Sequence, residues 1–196
     1  MKLDLKHYPF IDNIHVKETR IVKSKNNIYE LYYKNTRFHW EDTQSKSSLY
    51  ELYPQIQLAK GDCICTGLGF LLRESFLLQN KNVTSVTVLE NNLDVIEIQN
   101  QLNPFIMSQL NIIFTDANSY KGSCDTLLLD HWQDYDNHNL LIKIKKCCKN
   151  IKHTTLFWWD IIKDYSYQEY NILRNEFKTL PKLTHEQYKE YLDVRL

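Results

Sequence analysis

Residues 61–70 read GDCICTGLGF, and they hold Gly61, Gly67 and Gly69, three of the four glycines in a chain of 196 residues. A sequence so sparing of glycine places it where a side chain cannot fit, so the stretch marks a close approach of backbone to something else. Its first half is a short apolar strand in which Cys63 and Cys65 alternate with Ile64 and share one face. Its second half is a turn, and from Phe70 the run FLLRESFLLQN carries apolar residues at helical spacing.

Strand and helix continue to alternate downstream. VTSVTVLE (83–90) is a β-branched strand, and NNLDVIEIQNQL (91–102) is an Asn-capped helix stopped by Asn103 and Pro104. LNIIFTD (110–116) and CDTLLLD (124–130) are third and fourth strands. HNLLIKIKKCCKNI (138–151) is a helix with a basic outer face, and TTLFWWD (154–160) is a fifth strand. Strands joined by helices predict an α/β, Rossmann-like, mostly parallel sheet of five or more strands flanked by helices. The segments 161–177 and 184–192 continue as helix. Upstream, HVKETRIVKS (15–24) and NIYELYYKNTRFHW (27–40) are β-rich runs around the turn-prone KSKNN, which predicts a small N-terminal β-hairpin appendage. SSLYELYPQIQL (47–58) is a short helix that Pro54 stops or kinks. Residues 1–48 are thus the appendage and 49–196 the Rossmann-like domain.

Lys plus Arg balance Asp plus Glu at 24 each, so no overall field draws nucleic acid or an anionic membrane. The basic face of 138–151 reads as a solvated helix surface. No apolar run approaches membrane-spanning length and the first residues lack a signal-peptide core, which makes a soluble cytoplasmic protein the expectation. The five cysteines read as buried free thiols, and no metal-ligand set stands out.

The chemistry gathers at the carboxyl ends of the successive strands, which carry CTGLGF, VTVLEN, FTDA and LLLDHW. Open parallel sheets bind ligands at those ends. Gly67, Gly69 and Glu90 also fit part of a dinucleotide fingerprint, but that fingerprint requires a third glycine where this chain has Leu72.

In these stretches, over residues 55 to 160, the chain resembles the class I S-adenosylmethionine-dependent methyltransferase superfamily, and within it the spermidine-synthase-like branch. The resemblance implies that Thr66, Gly67, Leu68 and Gly69 pass close to the donor, with backbone N–H groups at the start of the next helix aimed inward. It implies that Glu90, beside Asn91, accepts from the ribose hydroxyls, and that Asp116 accepts from the adenine amino group with Ala117 leaving space for the ring. It implies as well that Asp130 closes the crevice beneath the reactive sulfonium. Asp130, His131 and Asp134 are the candidate bases, His131 being suited to neutral pH. Trp132, Trp158 and Trp159 lie near strand ends, with at least one of the last two facing the core. The partner implied is a small-molecule acceptor, and similarity to the branch points to a homodimer. Departures are specific: the acid that often precedes the glycine turn is replaced by Cys63 and Cys65, and two acids of spermidine synthases by Leu68 and Gln133. A polyamine needs such acids, so methyl transfer is expected ahead of aminopropyl transfer. A binding module without turnover remains a second class of reading.

Overall fold

The computed structural model describes residues 4–43, 47–130, 137–158, 161–162 and 164–193. The chain opens with four strands, β1 (Ile14–Val16), β2 (Thr19–Lys23), β3 (Ile28–Tyr33) and β4 (Thr36–Asp42), paired in sequence order as an antiparallel meander. The expected single hairpin is therefore two further strands larger. Its extra turns fall at Lys17 and Lys34, which take left-handed backbone (φ 48° and 55°) without glycine. Thr19, Ile21 and Leu31 face inward and are fully buried, while Arg20 and Lys34 lie over the rings of Tyr32 and Tyr33.

Helix α1 (Ser47–Leu58) leads to β5 (Gly61–Thr66), α2 (Leu72–Leu77), β6 (Val83–Glu90), α3 (Leu93–Leu102), α4 (Pro104–Met107) and β7 (Asn111–Phe114). There follow β8 (Gly122–Ser123), β9 (Thr126–Leu129), α5 (Asn137–Asn150), β10 (Ile151–Lys152), β11 (Thr155–Trp158), α6 (Tyr167–Glu176) and α7 (His185–Leu192). Pro54 does not stop α1, which runs on to Leu58. Proline removes one rung of the helical ladder, yet Leu49, Leu52 and Ile56 are all buried and hold the helix against the core.

The central sheet has the order β11-β9-β5-β6-β7, every pair parallel. This is the Rossmann-like architecture expected from the alternation. The chain leaves β5 toward β6 and β7 on one side, then returns to lay β9 and β11 on the other. The strand order thus reverses between β5 and β9, and such a switch point opens a crevice at the carboxyl ends. Strands β5, β9 and β11 are apolar along nearly their whole length because helices cover both faces. One contiguous buried cluster runs from Val16, Ile21 and Leu31 of the N-terminal sheet through Cys65, Val88 and Leu128 to Trp158 and Tyr188. Trp158 faces inward, as expected of one of the two strand-end tryptophans, and packs edge-on against Phe177. Cys63, Cys65 and Cys147 are buried thiols, and none of the described cysteines is in a disulfide. Among the described residues no helix is long and apolar enough to cross a membrane.

Candidate functional site

The crevice at the switch point is built from β5 outward. Asp130 follows β9 directly, and its backbone N–H donates to Thr66 Oγ1 at the end of β5 (2.8 Å), which locks the two strand ends together. Beyond Thr66 the chain turns sharply through Gly67 (φ 77°) and Gly69 (φ 46°), and Leu71 also takes left-handed backbone (φ 63°) immediately before α2. Left-handed φ costs an L-residue roughly 1–2 kcal/mol, which explains the two glycines and leaves Leu71 strained, held by complete burial.

Glu90 closes the other side of the turn. Its Oε2 accepts from Leu68 N–H and its Oε1 from Asn92 N–H, both at 2.8 Å. The turn's own N–H groups are thereby used within the protein: Gly67 donates to Leu89 O, Leu68 to Glu90 and Leu71 to Leu68 O. Leu71 is the N-cap of α2, so of the N–H groups expected to point inward from the start of that helix, this one is turned back into the protein. Burial raises the pKa of Glu90, against the stabilising hydrogen bonds from Leu68, Asn92 and Asn91. A carboxylate has about four lone-pair sites. Leu68 and Asn92 take two of these and the Asn91 N–H bears on the group as well, so Glu90 is held in one orientation with little more than one acceptor site to spare.

Between these walls lies a cavity of ≈ 700 Å³, within the range of small-molecule sites. Its lining takes in Gly67, Leu68, Gly69, Glu90, Asn91 and Asp130 of the candidate residues; Thr66, Asp116 and Ala117 lie outside the lining. Thr66 is buried beneath it. Asp116 is exposed just past β7, with Oδ1 accepting from Asn118 N–H (2.9 Å), and Ala117 is buried with its carbonyl 3.9 Å from Cys147 Sγ. His131, Trp132, Asp134 and Trp159 lie outside the described residues. Among the described residues no His, Cys, Asp and Glu cluster has metal-site geometry.

Three parts of the site escape the motifs. Phe114 and Leu93, apolar yet more than half exposed, line the β6–β7 end. Phe38 and His39 of β4, with Lys17 and Glu18 of the β1–β2 turn, bring the N-terminal sheet to the cavity. Burial, seconded by the nearby Arg73 charge, pushes the His39 imidazole down to about 4, so it is neutral at physiological pH. Finally, Arg73 and Glu74 on α2 are 4% and 2% exposed and form an ion pair, Nη2 and Nε reaching Glu74 Oε1 at 2.9 and 3.1 Å. Arg73 Nη2 also approaches the Thr66 and Gly67 carbonyls (3.3 and 3.4 Å), while Nη1 is buried with no hydrogen-bond partner. The signal for this pair was present as two adjacent opposite charges inside the apolar FLLRESFLL. Desolvation raises Asp130 to about 6, against the pull of Arg73 and with the push of Glu74.

The sequence matches no protein-family model and no curated protein. Solved structures similar to it include a Thermoplasma acidophilum protein (TM-score 0.42, 18% identity, covering 70% of this chain and 68% of that one). A putative RNA methyltransferase from Pyrococcus horikoshii has TM-score 0.41 and 11% identity, covering 60% of this chain and 57% of that one. Spermidine synthase from Thermotoga maritima has TM-score 0.44 and 15% identity, covering 74% of this chain and 54% of that one. The chain therefore spans little more than half the length of the last two.

Proposed function

We propose that the cavity holds S-adenosylmethionine and that the protein is a methyltransferase for a small-molecule acceptor. One observation supports this above the rest: a left-handed glycine turn is tied directly to a strand-end glutamate, and both line a nucleoside-sized cavity at the sheet's switch point. In this reading Gly67 to Gly69 leave room for the ribose, and Glu90 presents its remaining acceptor capacity to the ribose hydroxyls with Asn91 beside it. Leu93 and Phe114 offer apolar surface to the adenine. Asp116, two residues past Phe114, is assigned the adenine amino group through its second carboxylate oxygen, with Ala117 and Thr66 supporting the walls.

A donor held by Gly67–Gly69, Glu90 and Asp116 would supply a methyl carbon activated by positive sulfur, with the thioether as the leaving group. The chain's own task is alignment, exclusion of water and removal of the acceptor's proton. Asp130 is assigned that proton. A carboxylate lifted to about 6 matches a base working near neutrality better than an ordinary one does. His131 and Asp134, which follow Asp130 in sequence, are assigned as further bases.

Titration calorimetry with S-adenosylhomocysteine and with NAD tests the reading. Micromolar binding of the first and none of the second supports it, and the reverse overturns it. Slow consumption of S-adenosylmethionine across a panel of acceptors then separates an enzyme from a module that binds without turnover.

A further inference from the structure

We propose, resting on the donor-site reading above, that Thr19 of the N-terminal sheet is a positioning residue for the donor's ribose: acting through Asn92, it holds Glu90 and the β6–α3 turn in the form that receives the sugar hydroxyls. Thr19 and Ile21 both point from β2 into the core, and Thr19 is wholly buried. Valine has the same branched shape and suits a buried strand position as well or better. A buried hydroxyl must be hydrogen-bonded. Both partners of this one lie outside its own sheet, on the turn beside the cavity.

Thr19 Oγ1 donates to Asp94 Oδ2 (3.4 Å) and accepts from Asn92 Nδ2 (3.3 Å). Asn92 Oδ1 in turn accepts from Asp94 N–H (2.9 Å), which caps α3. The three residues close a ring in which the oxygen and the nitrogen of the Asn92 amide each have a fixed partner, so the amide has one orientation. The backbone N–H of the same Asn92 donates to Glu90 Oε1 at 2.8 Å. Glu90 is therefore held from two sides. On Oε2 it meets Leu68 N–H of the glycine turn, and on Oε1 it meets a turn whose place is set from the N-terminal sheet. Asn92, Glu90 and Asp94 line the cavity, and Thr19 stands behind them. A carboxylate with so little spare acceptor capacity meets the sugar only in the right orientation, and such orientation is secured by hydrogen bonds one layer further out. A threonine that served packing alone would contribute to stability and leave the recognition of ribose untouched.

The test is calorimetry on the full chain with S-adenosylhomocysteine and its 2′,3′-dideoxy analogue, which keeps adenine and thioether but lacks both ribose hydroxyls. The wild type should prefer the hydroxylated ligand by about tenfold or more. Thr19→Val, which keeps the shape and removes both hydrogen bonds, should cut that preference to within about threefold while the dideoxy analogue binds as before. Thr19→Ser, which restores the hydroxyl, should restore the preference. Should the valine variant not fold, Asn92→Ser cuts the relay at its other end: serine still caps α3 but is too short to reach Thr19, and the same loss is expected. A preference that survives in folded Thr19→Val or Asn92→Ser, even with stability lowered, overturns the positioning role and leaves the nucleoside reading standing. Equal wild-type binding of the two ligands overturns the role together with the assignment of Glu90 to the ribose. Failure of both to bind overturns the role and the donor site alike.

Discussion

Glu90 illustrates how much of the site is set by single side chains. Its carboxylate satisfies two backbone N–H groups of the surrounding turns, so Glu90→Ala strands two donors as well as removing an acceptor. We expect it to lower unfolding free energy by about 2 kcal/mol in denaturant titrations and to weaken nucleoside binding at least tenfold. Asp130 and His39 make opposite pH predictions. Asp130 is lifted from 3.8 to about 6 in the folded state. Between those values the folded protein binds more protons than the unfolded one, so this group's contribution to stability falls as pH rises through that window. Asp130→Asn should therefore be more stable than wild type above pH 6, by up to about 3 kcal/mol, with the difference vanishing near pH 4. His39 is lowered from 6.5 to about 4. The unfolded state then binds the extra proton, and stability is lost as pH falls through that window. His39→Gln should remove this acid-side loss, which unfolding curves from pH 4 to 8 will show. The motifs made Glu90 and Asp130 legible because strand ends announce themselves. His39 was not legible, since only the packing of the N-terminal sheet brings it to the cavity.

At the scale of elements, the five strands of the central sheet were legible because β5, β6, β9 and β11 are mostly apolar or β-branched runs bounded by polar turns, whereas the short parallel pair β8 and β10 carries no such run and was not foreseen. The N-terminal meander was read as half its size because its turns at Lys17 and Lys34 put the left-handed residue on a lysine rather than on the glycine or asparagine that usually marks it. Pro54 misled for the opposite reason: a strong local signal was overridden by burial of the helix face on either side. The glycine turn offers a direct check on strain. A Cβ on Gly69 would meet the His39 ring at 3.9 Å, an ordinary contact, so Gly69→Ala should cost only the price of its left-handed φ, about 1 kcal/mol in chemical denaturation.

For the molecule as a whole, the N-terminal sheet is part of the core and of the site together. Asp94, nearly buried at the start of α3, accepts from Glu18 N–H and Thr19 Oγ1 and pairs with Lys17, fastening the β1–β2 turn beside the cavity. A chain comprising residues 47–196 should fail to unfold cooperatively, because it loses Val16, Ile21, Tyr29 and Leu31 from the one buried cluster that both sheets share. A sharp thermal transition in that fragment would show the two sheets to be independent.

The most direct measurement is a crystal structure with S-adenosylhomocysteine at saturation. The account predicts ribose beside Gly67–Gly69 and Glu90, with adenine against Leu93 and Phe114. A nucleoside found elsewhere on the molecule, with this cavity empty, would contradict it.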